Sequence, residues 1–156
     1  MHRRPLLLWA AFAASASAAA APSPYDESAD ARADIRRALA AAGAGPRRVL
    51  VVFGANWCED CRRLDQALSS GRTAELMARQ FELVKVDVGR FDRNLDLAKA
   101  YGDPIRKGIP AAVVLAADER VLFATQAGEL SNARRMSASG VHNFFAGVVR
   151  HIGQTR

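Results

Sequence analysis

The succession of apolar and polar segments predicts an α/β fold, a central mixed β-sheet flanked by helices on both faces. Three observations carry that expectation. Val49-Leu50-Val51-Val52-Phe53 is a continuous apolar run of strand length, as expected of a central strand covered on both sides. The elements follow the order α, β, α, β, α, β, β, α. An early helical crossover joins the first two strands, while Asp118-Glu119 turns the last two into an antiparallel hairpin, so the sheet combines both senses.

The N-terminus has the layout of a secretory signal peptide over residues 1–20. Met1-His2-Arg3-Arg4 is basic, Pro5 to Phe12 is apolar, and an alanine/serine run ends with small Ala18 and Ala20, placing the cut after Ala20. The apolar part is short for a membrane span, and no cysteine closes the segment to carry a lipid, so no stable membrane insertion is expected after cleavage. Residues 21–27 are Pro-rich and polar, a flexible lead-in. Residues 28–156 are one domain on length.

Within that domain, residues 28–42 read as a helix with Ile35, Leu39 and Ala42 on one face, stopped by Gly43-Ala44-Gly45-Pro46. After the Val49–Phe53 strand, Cys61, Leu64 and Leu68 share a helical face, and Gly71 is expected to end that helix. A short second turn over 73–80 follows, and residues 81–88 are β-rich. Residues 94–101 read as helix, stopped by Gly102-Asp103-Pro104. Residues 111–116 and 121–125 form the hairpin. Ser139 is placed to cap a last helix, where Val141, Phe144, Phe145, Val148, Val149 and Ile152 recur at helical spacing, and Gly153 is expected to end it. Segments 89–94 and 127–137 belong to no element, and long connections of this kind are often functional.

Charge excludes one class of partner. The net charge is +6, but two arginines lie in the signal segment and the rest are scattered pairs without a basic run or interleaved aromatics, so no nucleic-acid surface is expected. His142 and His151 do not have zinc-motif spacing, and no P-loop or dinucleotide fingerprint occurs. A monomer is the default expectation.

The chemistry rests on the chain's two cysteines, in Trp57-Cys58-Glu59-Asp60-Cys61, at a strand-to-helix junction. Residues three apart at a helix start lie on one face, close enough for a disulfide. The helix N-terminus favours a thiolate on the first cysteine. Cys58 is therefore expected to attack a partner's disulfide and Cys61, buried one turn later, to resolve the mixed disulfide. A purely structural bridge is disfavoured, because so short a loop removes little unfolded-state entropy. Glu59 and Asp60 beside Cys58 disfavour a second negative charge, which points toward a reducing potential and hence a disulfide reductase or redox carrier. Two other classes stay open: Cu(I) carriage by the same cysteines, and a binding or chaperone-like module with an incidental disulfide.

Trp57-Cys58-x-x-Cys61 after an apolar strand, with Gly108-Ile109-Pro110 ahead of Ala111–Leu115, resembles the thioredoxin superfamily over roughly residues 30–152. The resemblance implies a thioredoxin-like fold and a protein-disulfide oxidoreductase acting on protein thiols and disulfides with a redox partner protein. It implies no cofactor beyond the Cys58–Cys61 disulfide. It implies that Pro110 is cis and faces the cysteines, that the Ile109 backbone and Trp57 contact substrate, and that Trp57 shields the pair. Lys85 matches a family position and is expected to act on Cys61 or its surroundings, because Val52 stands where thioredoxins usually bury an Asp. Segment 89–94, close to the Pro110 loop in such a fold, is expected to shape partner access. Together with the signal segment, this implies an exported protein, periplasmic in a Gram-negative source.

Overall fold

The computed structural model describes residues 23–154, so the expected signal peptide lies outside the described residues. The elements are α1 (Ala31–Gly43), β1 (Arg48–Gly54), α2 (Glu59–Leu68), α3 (Gly71–Gln80), β2 (Phe81–Asp87), α4 (Leu95–Ala100), β3 (Ala111–Leu115), β4 (Val121–Ala124) and α5 (Ala138–Gln154). Single 3₁₀ turns lie at Pro104–Lys107 and Ala133–Arg135.

The sheet runs β2-β1-β3-β4. β1 pairs parallel with β2, with Val52 opposite Lys85, and antiparallel with β3, with Phe53 opposite Ala111. The continuous apolar run of β1 follows from this central place, because both of its faces are covered. Val49, Val51 and Phe53 pack with Ile35, Ala38 and Ala42 of α1 and with Leu97 and Ala98 of α4. Leu50 and Val52 pack with Leu64 and Leu68 of α2, Leu76 and Met77 of α3, and Val141, Phe145 and Val148 of α5. Burial of each of these side chains larger than alanine contributes about 1.5–3 kcal/mol. The expected mixed sheet with helices on both faces is the observed one.

Boundaries differ where polar side chains satisfy helix ends. α1 begins at Ala31, not 28, because Asp30 caps it by accepting the Ala33 N–H at 3.0 Å. α2 stops before Gly71. The Ser69 hydroxyl donates to the Asp65 carbonyl at 2.8 Å and Ser70 to that of Gln66, so two serines take up its last acceptors. Gly71, at φ 52°, instead turns the chain into α3, a ten-residue helix where only a short turn over 73–80 was expected. Ser137 rather than Ser139 caps α5, taking the Gly140 N–H at 3.0 Å. Gly153 does not end α5, which continues through Gln154. A helical glycine costs only about 1 kcal/mol relative to alanine, and the preceding turn is held by Val149 and Ile152 against the core.

Residues 21–27 were expected as a flexible lead-in, yet Tyr25 is 2% exposed and belongs to the core. The Asn56 side chain clamps its backbone on both sides, accepting from the Tyr25 N–H at 3.0 Å and donating to its carbonyl at 2.8 Å. The packed domain therefore includes Tyr25, ahead of the expected start at residue 28.

Candidate active site

At the end of β1 the chain leaves the sheet through Ala55-Asn56-Trp57, with the Cys58 N–H donating to the Ala55 carbonyl at 3.2 Å. Cys58 is the N-cap of α2. Its backbone is extended, and its Sγ accepts the Cys61 N–H at 3.1 Å. A sulfur thus occupies the place where a serine oxygen usually caps, and the helix N-terminus is directed at it. Cys58 and Cys61 form a disulfide with Cα atoms 5.2 Å apart. Cys58 lies near the surface at 6% exposure and Cys61 is sealed beneath it at 0%.

The Ile109–Pro110 peptide is cis. It brings the Ile109 carbonyl within 3.8 Å of Cys58 Sγ, a contact without a shared proton because the sulfur is in a disulfide. The Ile109 N–H makes no hydrogen bond among the described residues. Trp57 is 48% exposed. Its indole N–H donates to the Gly89 carbonyl at 2.7 Å, its ring meets Phe91 edge-on at 6.4 Å, and the Arg90 guanidinium lies 5.7 Å from the ring centre. Segment 89–94 thus lies beside the cysteine loop. Asp87 builds it, accepting the Gly89 N–H at 3.1 Å and pairing with Arg93 at 3.0 Å, while the Asn94 side chain donates to the Asp87 carbonyl at 2.7 Å. Phe91 and Asn94 hold positive φ there, and at Gly89 a Cβ would collide with the Asp92 carboxylate.

Glu59 and Asp60, expected to act on Cys58 through their charge, have a cationic neighbour. Arg134, in the second long segment, donates its backbone N–H to Asp60 Oδ1 at 2.9 Å. Its guanidinium lies 3.5 Å from Asp60 and 3.6 Å from Glu59. Asp60 is buried by this contact. Buried Leu130 and Ala133 anchor the segment that delivers Arg134. Lys85, expected to act on Cys61 or its surroundings, lies on β2. Its ammonium pairs at 2.5 Å with Asp65, one helical turn beyond Cys61, as an ion pair rather than a directed hydrogen bond.

Tyr25, Asn56, Arg134 and Asp65 are the neighbours that reading the sequence missed. Tyr25 alone carried a usable signal, since a large aromatic in an otherwise polar lead-in is more often an anchor than a solvent-exposed residue. Burial pushes its phenol far above its ordinary value of 10.0, and the charges of Asp65 and Asp87 push it the same way. Among the described residues no three His, Cys, Asp or Glu side chains converge as a metal site. The arrangement can exchange a disulfide through a reachable Cys58 and a sequestered Cys61.

The sequence pattern of the thioredoxin-like family matches residues 30–117. Among solved structures, a disulphide isomerase from Xylella fastidiosa Temecula1 is 52% identical, with a TM-score of 0.81 over 83% of this chain and 99% of its own. A thioredoxin from Thermus thermophilus shares the fold at 22% identity and TM-score 0.52, over 73% of this chain and 80% of its own. So does a protein described as DsbH oxidoreductase, at 16% identity and TM-score 0.55, over 75% of this chain and 80% of its own. No curated protein matches the chain.

Proposed function

Because this chain belongs to the thioredoxin-like family and is a protein-disulfide oxidoreductase, we propose that it works from its reduced state, as a disulfide reductase and redox carrier for exported proteins. The asymmetry of the pair carries this reading: Cys58 caps α2 near the surface while Cys61 is fully enclosed. The Cys58 thiolate attacks a sulfur of the partner's disulfide, forming a mixed disulfide and releasing the partner's other sulfur as a thiolate. The Cys61 thiolate then attacks Cys58 Sγ, closing the internal disulfide and releasing the partner's second thiolate. Two electrons pass to the partner, and a redox partner protein must return two. The unpaired Ile109 N–H supports main-chain docking of an extended substrate segment, with Pro110 shaping the approach and Trp57 and Phe91 as an exposed aromatic rim. Glu59, Asp60 and Lys85 are tuning residues acting through their ion pairs.

The 52% identity to a protein described as a disulphide isomerase favours a second reading, in which the substrate's own thiolate displaces Cys58 and no net electrons move. Both readings need a reduced pair. The basic-apolar-small layout of residues 1–20 supports export, to the periplasm in a Gram-negative source. We infer a monomer with no resident cofactor beyond the disulfide.

The test is the reduction potential of the mature protein in thiol buffers. Trp57 is the sole tryptophan once the signal segment is removed, so its emission reports the pair unmixed. A value near the thioredoxin range of about −270 mV is expected, and one near about −120 mV would make the protein a disulfide donor and overturn the reading. Mass spectrometry of the exported protein should give Ala21 as its first residue, and a retained Met1 counts against export. Cys61→Ser separates the two modes: an isomerase keeps activity on scrambled substrate, and a reductase accumulates the mixed disulfide.

A further inference from the structure

Gly54 is the last residue of β1, and what a side chain there would meet locates an unassigned group. A Cβ at Gly54 would collide with the phenol oxygen and ring carbon Cζ of Tyr25, and would stand 3.0 Å from Cys61 Sγ. The phenol end and the resolving sulfur therefore converge on one point that only glycine leaves open. Val52, two residues earlier on β1, is apolar and packs with Leu64 and Leu68, so its side chain offers Cys61 no proton donor or acceptor. Tyr25 reaches the spot from outside the sheet. Its backbone is held by Asn56, two residues before Cys58, and it is 2% exposed. Among the described residues its phenol O–H makes no hydrogen bond. The O–H is therefore available to a sulfur beside it.

We propose that Tyr25 is a positioning residue for the redox step, its O–H donating a hydrogen bond to the Cys61 sulfur when the Cys58–Cys61 bond opens. The inference rests on the thiol-disulfide reading above. When a dithiol partner reduces the protein, its thiolate attacks Cys58 Sγ, the Cys58–Cys61 bond breaks, and the electron pair leaves on Cys61. The partner's second thiolate then attacks the partner sulfur bridged to Cys58, that bond breaks, Cys58 is released as a thiolate and the partner departs as a disulfide, so two electrons have moved to the protein. In the opposite direction the Cys61 thiolate must form before it can attack Cys58. In both directions the charge appears on the fully buried Cys61 sulfur, and the phenol stabilises it. The other charged groups facing the phenol are Asp65 on α2, held by Lys85, and Asp87 at the end of β2, held by Arg93. Burial, and after it the two carboxylates, keep the phenol protonated, so it acts as a donor throughout the working pH range.

The experiment compares Cys58→Ser with Cys58→Ser/Tyr25→Phe, reading the pH midpoint of Cys61 alkylation. Phenylalanine retains the ring that fills the core, and a thermal melt checks folding. Loss of the O–H should raise the midpoint by about one pH unit, a tenfold loss of thiolate at neutral pH. In the otherwise intact protein, Tyr25→Phe should move the potential in the reducing direction, because the reduced form loses a stabilising contact. A second readout leaves residue 25 unchanged: in Cys58→Ser, ionisation of Cys61 should perturb the tyrosine ultraviolet band with the same midpoint. An unmoved midpoint, or a silent tyrosine band, overturns the proposal. A wild-type pair that fails to titrate in thiol buffers overturns the oxidoreductase reading itself, so the two failures are distinguishable.

Discussion

Arg134 reaches across 74 positions to hold Asp60 with its backbone N–H, and its guanidinium faces both acids between the cysteines. Two negative charges beside Cys58 would work against its thiolate, and one cation within 4 Å offsets part of that. Arg134→Gln removes the cation and leaves the backbone contact. The potential should then move in the reducing direction by on the order of 10–30 mV, the range modest because the guanidinium is half-exposed and screened. The shift should shrink as salt is added, and a potential identical to wild type at low salt would mean that the acids do not act on the pair. Cys58 and Cys61 were legible in the sequence because disulfide closure and helix geometry both demand their spacing. The contacts of Tyr25 and Arg134 were not. Their partners lie 31 and 74 positions away, and a backbone amide or a vacant glycine leaves no residue-type signature. The Arg134 partner of Glu59 and Asp60 was hidden for the same reason.

At the scale of elements, segment 127–137 is a built part of the site. Leu130 is fully buried against α2 and α5, the Ala133–Arg135 turn follows it, and Ser137 starts α5. Leu130→Ala should cost about 2–5 kcal/mol by leaving a cavity. Because the same anchor carries Arg134, the potential should move in the same direction as for Arg134→Gln. Thermal melts and thiol-buffer titrations of the one variant check both, and a destabilised protein with an unchanged potential would sever Leu130 from the acid clamp. The strands and long helices were legible from periodicity, since a two-sided strand and an amphipathic helix impose patterns on composition. The helix ends were not, because serines at 69, 70 and 137 settled them by capping, and a hydroxyl's partner is decided only by the local fold. Gly71 illustrates the ambiguity, since the φ of 52° that makes a glycine a stop signal serves here to start α3.

For the molecule as a whole, two tyrosines tie stability to alkaline pH. Burial raises the phenols of both Tyr25 and Tyr101 above the ordinary 10.0, and the hydrogen bond to Glu119 adds to the rise at Tyr101. The unfolded chain sheds these protons first, near pH 10, while the folded chain keeps them. The unfolded state then binds fewer protons, so stability is fully present below pH 10 and falls as pH rises beyond it. Melting temperatures followed from pH 7 to 11 should be flat with respect to these groups and then decline, and the decline should be shallower in Tyr25→Phe or Tyr101→Phe. An identical alkaline decline in all three would remove the tyrosines from the account. The fold was legible at this scale because element order and handedness leave few alternatives, whereas the packed start of the domain was hidden in a stretch whose prolines and polar residues concealed one anchor. That anchor also sets an order of assembly. A chain is made from its N-terminus, so Tyr25 and α1 exist before the cysteines, while Pro110 and Arg134 arrive only afterwards. With two cysteines in the whole sequence, the nascent chain has a single internal pairing available to it, and wrong bridges can form only between molecules.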